Sequence, residues 1–235
     1  RTELPKRTRP KAAAVYAAAD RFVDAAFRSD DSLFTPGRSI WTAAVVDELY
    51  ECLPGTPDTG DRSFLDKLRD QLDGSSDEAI QGMAELIFFH LLATVTSGAQ
   101  VKRENIDAIL GWCSEPVEIP DDLVPALDHG LVNPGTHFNT RRDAQLSFLL
   151  ELLRGWKALP VAQRESLLLE PWEFKDLAYR VPHWSAYTQR NAVLHLLFPD
   201  TFESIVSRSD KELIEKRFST YVTAPTEDVD RALLQ

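Results

Sequence analysis

Several features that would mark a membrane protein or a secreted protein are missing from this sequence. Its 235 residues include only two cysteines, Cys52 and Cys113, and neither belongs to a CxxC motif or a cysteine–histidine cluster. Isolated cysteines are typical of a reducing compartment, so we expect free thiols rather than a disulfide. The longest apolar run, 86–92, is interrupted by His90 and is far too short to cross a bilayer. The N-terminus has no apolar signal segment, and we therefore expect a cytoplasmic protein with no membrane partner.

Positive charge is also scarce. The chain has 26 lysines and arginines against 37 aspartates and glutamates, which gives a formal net charge of -11. A uniformly acidic surface repels nucleic acid, and this disfavours extensive wrapping of DNA. Residues 1–11 are the exception, because they carry five basic side chains against Glu3 alone. We interpret this segment as a basic N-terminal arm, for which a solvated tail is the simpler explanation.

The sequence contains no complete catalytic or nucleotide-binding motif. Residues 55–60 have the GxxxxG spacing of a phosphate loop, but Asp61 and Arg62 follow where the motif requires Lys and Ser or Thr. The five histidines form no HxH, HxxxH or HExxH pattern, so we expect no metal site. Glu173 and Lys175 match half of a nuclease motif, but they lie in a predicted helix instead of a strand. We therefore expect a non-enzymatic chain without a cofactor.

Apolar residues recur with helical spacing through almost the whole chain, and no segment alternates with a period of two. Ser75 with Glu78, and Ser209 with Glu212, have the spacing of capping boxes that begin helices. Behind the first box runs the most apolar helix, 80–95, which we expect to lie at the centre of the core. These patterns predict an all-α fold.

An acidic, proline-rich break at 114–122 interrupts the helical pattern. The fold class that we predict is an irregular multi-helix bundle, either undivided or composed of two packed helical sub-domains, 12–113 and 123–222. We expect residues 223–235 to begin a further linker or helix.

Two polar clusters beside predicted helix starts, and one tryptophan in a predicted loop, are candidates for ligand binding. Guanidinium groups combined with free backbone amides suit an anion such as phosphate, and an exposed indole suits a stacked base. The alternative for the arginines is internal pairing with carboxylates of this acidic chain. The candidate residues are Asn139, Arg141, Arg142, Trp184, Ser207, Arg208 and Lys211.

The segment from His195 to Lys211 resembles a segment that precedes the AAA+ domain in many bacterial McrB-like NTPases, which are relatives of the NTP-driven subunit of modified-cytosine restriction systems. Further similar signals occur in the same order, and the resemblance extends to about Tyr221. One departure is Asp210, which stands where the family pattern has histidine. The further signals lie at 41–42, 63–68, 116–120, 133–136, 138–142 and 156–157.

The resemblance implies an N-terminal accessory or recognition domain of an AAA+ ATPase or GTPase in a bacterial restriction or phage-defence system. It also implies a following AAA+ domain after Gln235 and a nuclease partner subunit for the whole protein. Within that role the module binds either target DNA or a partner protein. Kinship with restriction subunits favours DNA, whereas the acidity of the chain favours a protein-interaction scaffold with no nucleic-acid role.

Overall fold

The computed structural model describes residues 10–55, 61–135, 138, 140–182, 185–224 and 226–235. Across these ranges it contains eleven α-helices and no β-strand, and the predicted all-α class is confirmed. None of these helices is long and apolar enough to cross a membrane. The helices are α1 (Ala13–Phe22), α2 (Ala43–Cys52), α3 (Phe64–Gln71), α4 (Asp77–Leu92), α5 (Ala99–Leu110), α6 (Arg142–Lys157), α7 (Val161–Leu167), α8 (Pro171–Arg180), α9 (Tyr187–Leu197), α10 (Arg208–Phe218) and α11 (Val229–Leu233).

Three shorter elements complete the described secondary structure. A π-helix, Val23–Ser29, continues α1 and ends at Asp30, whose φ of 57° is left-handed. Two 3-10 helices span Val124–Leu127 and Ser219–Tyr221. A single isolated bridge joins Thr94 to Val132.

Helix α4 occupies the centre of the fold, as the sequence predicts. Residues from 79 to 92 are all buried, and the helix packs against α1, α2, α5 and α6. One hydrophobic core runs from Val15 to Val206 and includes residues on both sides of the 114–122 break. The division into two sub-domains therefore stays a prediction. Cys52 and Cys113 are both free thiols.

The start of α4 differs from the predicted capping box by one residue. Ser76, not Ser75, is the N-cap, and its Oγ accepts a hydrogen bond from the backbone N–H of Ala79. The carboxylate that completes the arrangement comes from α2, because Glu48 accepts hydrogen bonds from both the N–H and the Oγ of Ser76. Glu78, which the sequence places in that role, pairs with an arginine instead.

The second predicted box also shifts. Ser207 is the N-cap of α10 and accepts from the N–H of Asp210, so the cap lies two residues before the predicted cap at Ser209. Both errors have one cause, since neighbouring serines offer equivalent hydroxyls and tertiary contacts select between them.

A buried carboxylate joins α4 to the loop 30–41. Glu85 is fully buried within the most apolar helix, and five donors surround its two oxygens at 2.6–3.1 Å. Burial raises the pKa of Glu85, and these hydrogen bonds oppose that rise. The donors are Ser32 Oγ, the N–H groups of Leu33 and Phe34, Trp41 Nε1 and Gln81 Nε2.

We expect Glu85→Gln to lower the free energy of unfolding by about 2–4 kcal/mol, because an amide NH2 would face donors that need an acceptor. Chemical denaturation monitored by circular dichroism measures this. The control is Glu104→Gln, an exposed glutamate on α5, which we expect to change stability by less than about 0.5 kcal/mol. Equal stability of the two variants would contradict the assigned role of Glu85.

Candidate functional site

The candidate residues at the start of α10 fall into two environments. The Ser207 hydroxyl caps the helix and is thereby engaged within the chain. The side chain of Arg208 is 71% exposed, and its Nε donates to Glu212 one turn along the helix at 2.7 Å. Arg208 is therefore accessible, but a neighbouring carboxylate already offsets its charge.

Lys211 lies inside the fold, with 1% of its side chain exposed. Its Nζ donates to Asp230 Oδ1 at 2.5 Å and to Asn191 Oδ1 at 3.0 Å. The other oxygen of Asp230 lies 2.7 Å from Lys175 Nζ, which also pairs with Asp228 at 2.5 Å. This two-lysine, two-aspartate network fastens α11 to α8 and α10. Lys211 consequently has no surface from which to contact a phosphate, and we remove it from the candidate set.

The other predicted cluster begins α6. Arg141 is exposed, and its nearest carboxylate partner is Asp143, with Nε and Oδ1 3.8 Å apart. Arg142 is half-buried over the ring of Phe64, with its NH1 3.3 Å from Asn105 Oδ1, and burial lowers its pKa. Only Arg141 of this pair is presented openly to solvent. Asn139, Trp184 and residues 1–9 of the basic arm lie outside the described residues, as do residues 56–60 of the phosphate-loop-like segment.

Arg208 borders an open groove of about 670 Å³ between α8, α10 and the segment that leads into α11. Lys175 and the two tyrosines Tyr179 and Tyr187 also line this groove. Carboxylates outnumber the cations there, so the groove attracts a cation and opposes the approach of a phosphate backbone. The carboxylates are Asp176, Glu212, Glu215, Glu227 and Asp228.

Tyr179 in this groove is held in its neutral form. Tyr179 and Tyr187 hydrogen-bond to each other, and burial is the main cause that raises the pKa of Tyr179. The guanidinium of Arg190 lies over the Tyr179 ring, 4.2 Å from its centroid. A neutral, hydrogen-bonded phenol is a poor nucleophile, so this pair contributes structure and apolar surface to the groove.

The two histidines of the core lack the properties of an acid–base pair. His90 donates through Nδ1–H to Gln189 Oε1 at 2.6 Å, and burial lowers its pKa to about 3. His195 bonds to Tyr16 through Nε2 and to the carbonyl of Phe202 through Nδ1, both at 2.8 Å. Within the described ranges, no group of three or more His, Cys, Asp or Glu side chains could hold a metal ion.

Apolar side chains on and just after α10 are exposed to solvent. Leu213 is 66% exposed and Phe218 is 55% exposed, and Tyr221, just beyond the helix, is 75% exposed. The helix packs mainly against α11, and its buried anchor is Lys211 instead of an apolar residue. Helical spacing alone cannot reveal this exposure, because it shows which residues share a face but not whether another element covers that face. Phe218 and Tyr221 contact each other, with 6.2 Å between their ring centroids, whereas Leu213 lies about 140° around α10 from Phe218. We use the name α10 apolar face for these three exposed residues together.

No protein-family model, no curated protein and no solved structure matches this chain. The candidate site therefore depends on its own geometry, which is an acidic groove beside an exposed apolar face.

We expect Lys211→Gln to lower the free energy of unfolding by about 2 kcal/mol or more, because Asp230 and Asn191 would lose a buried charged donor. This corresponds to a fall in melting temperature of roughly 4–8 °C for a chain of this size. Lys216→Gln, at an exposed position on the same helix, should leave the melting temperature within about 1 °C of wild type. A similar small effect of both substitutions would show that Lys211 is not an anchor.

A second prediction concerns the effect of the buried Lys102 on stability at different pH. Its Nζ donates to the carbonyl of His129 at 2.9 Å, and burial lowers its pKa from 10.5 to about 8. The unfolded chain thus binds more protons than the folded chain between pH 8 and 10.5, and stability due to this group rises with pH in that window. We expect Lys102→Met to stabilise the protein most below pH 8. Its advantage in melting temperature should shrink by about half or more between pH 7 and pH 9.5, and a constant advantage would contradict the lowered pKa.

Proposed function

We propose that this chain is a non-catalytic recognition module that binds a partner protein through the α10 apolar face and the acidic groove beside it. The exposure of Leu213, Phe218 and Tyr221 is the observation that carries the proposal. Phe218 and Tyr221 form a contiguous exposed aromatic patch, and Leu213 adds exposed apolar surface on another side of α10. Exposed apolar patches next to polar groups are characteristic of protein–protein contact sites, where aromatic residues contribute much of the binding energy.

The charges around this face indicate the chemistry of the partner. The groove is rimmed by carboxylates, including Glu212 and Glu215 on α10 itself. A partner that offers an apolar group flanked by lysine or arginine would bury the apolar face and meet these carboxylates at its edge. Complementary charge at the rim of an interface accelerates association and selects the partner.

The resemblance to McrB-like proteins supplies the context of the proposal. In a protein of that kind the module would precede an AAA+ NTPase domain in a bacterial restriction or phage-defence system. Its partner would then be the nuclease subunit or the AAA+ domain of the same chain. The module would bind and position that partner, and the AAA+ domain would carry out NTP hydrolysis.

DNA binding is the second candidate, and one observation favours it. Arg141 is exposed at the start of α6, and its nearest carboxylate lies at 3.8 Å. Against it, Arg208 lies in the acidic groove and Lys211 is buried. These candidate residues thus leave few cations for phosphate, which predicts weak binding with a shallow dependence on salt.

Binding to the nuclease partner subunit tests the proposal directly. Biolayer interferometry with wild-type protein should detect a complex, and Leu213→Asp and Phe218→Asp should each weaken it about tenfold or more, because a buried carboxylate would replace an apolar contact. Val101→Asp is the matched control, since Val101 is 50% exposed on α5, and it should bind as wild type does.

Fluorescence anisotropy with methylated, unmethylated and single-stranded DNA should show at most weak binding at low salt. Tight DNA binding that Arg141→Glu abolishes, together with unchanged partner binding in the Leu213 and Phe218 variants, would overturn the protein-binding function in favour of the DNA-binding one.

A further inference from the structure

A second concave site lies between the π-helix and α7. The cavity has a volume of about 350 Å³, which is within the range of small-molecule sites. Phe27 of the π-helix lines it from one side, and Val161 and Leu168 line it from the other. Single π-helical turns within α-helices occur frequently at functional sites.

The wall of this cavity is held firmly by the core. Phe27 is 2% exposed, and its ring packs edge-on against Trp156 at 5.2 Å between centroids. The indole Nε1 of Trp156 donates to the carbonyl of Phe27 at 2.7 Å, and Lys157 Nζ donates to the carbonyl of Ala26 at 2.5 Å. These bonds satisfy carbonyl groups of the π-helix, so the cavity is already formed without a ligand.

Apolar surface at the mouth of the cavity faces water. Val161 is 60% exposed and Leu169 is 75% exposed, although both line the cavity with Phe27 and Leu168. A ligand with an aliphatic or aromatic body would remove this surface from water, and such burial is the main source of affinity in sites of this size.

The cavity also contains an unpaired cation. Arg164 lines it, the guanidinium has no hydrogen-bond or ion-pair partner among the described residues, and its Nε is buried. The neighbouring cations are already neutralised, since Arg28 pairs with Asp24 and Lys157 pairs with Asp30. Glu165 is the one carboxylate that lines the cavity, and it is exposed.

We propose that this cavity binds a small apolar monocarboxylate, whose body packs on Phe27, Leu168 and Leu169 and whose carboxylate pairs with Arg164. A guanidinium offers two parallel N–H donors that match a carboxylate. A single free guanidinium beside Glu165 suits one negative charge better than the double charge of a phosphate monoester. This site is independent of the partner-binding face on α10.

The test uses 3-phenylpropionate and its uncharged analogue 3-phenylpropanamide as probes, followed by NMR of leucine and valine methyl groups. The acid should shift the methyl signals of Val161, Leu168 and Leu169, with a Kd on the order of 1 mM or tighter. The amide should bind about tenfold more weakly, because it keeps the apolar body but loses the charge that Arg164 meets.

Two variants show which arginine causes the preference for the acid over the amide. Arg164→Gln should abolish the preference for acid over amide, whereas Arg28→Gln should retain it because Arg28 is already paired with Asp24. Equal affinities of acid and amide for the wild-type protein would overturn the proposal without any variant. Methyl shifts confined to other residues, or an acid preference that survives Arg164→Gln, would overturn it as well.

Discussion

A carboxylate at the centre of an apolar helix costs a large desolvation free energy unless donors meet it from every side. Glu85 is such a carboxylate, and the N-terminal part of the fold must therefore supply hydrogen-bond donors around it. Its donors come from α4 itself and from the loop 30–41, and the ring of Trp41, one of those donors, packs edge-on against Phe22 of α1 at 5.3 Å. The requirement to satisfy Glu85 therefore fixes the loop against α4 and, through Trp41, the position of α1.

A similar constraint operates at the other end of the chain. Helix α11 is only five residues long, and its docking depends on the buried Asp230 between Lys211 and Lys175, with Arg231 stacked 4.0 Å from the centroid of the Trp172 ring. Helix α10 is thus anchored through the buried charge of Lys211, while its apolar residues Leu213 and Phe218 are exposed.

Local spacing was sufficient to predict the all-α class and the central position of α4. It was insufficient where the outcome depends on a distant partner. Glu85 stands out in retrospect as the one acidic residue between 80 and 92, but its donors near Trp41 lie 44 or more residues away. Lys211 has the same local pattern as a surface lysine, and only Asp230, 19 residues further on, draws it inside. Helical periodicity likewise did not indicate that Leu213 and Phe218 are exposed.

The central claim is that the C-terminal end of the bundle, and not the start of α6, is the recognition surface. Hydrogen–deuterium exchange with and without the nuclease subunit that we propose as the partner tests it most directly, because it maps the contact without altering any residue. The account predicts slower exchange at 212–221 on complex formation, with no change at 141–146. Slower exchange at 141–146 on addition of DNA, with 212–221 unaffected by the nuclease subunit, would contradict it.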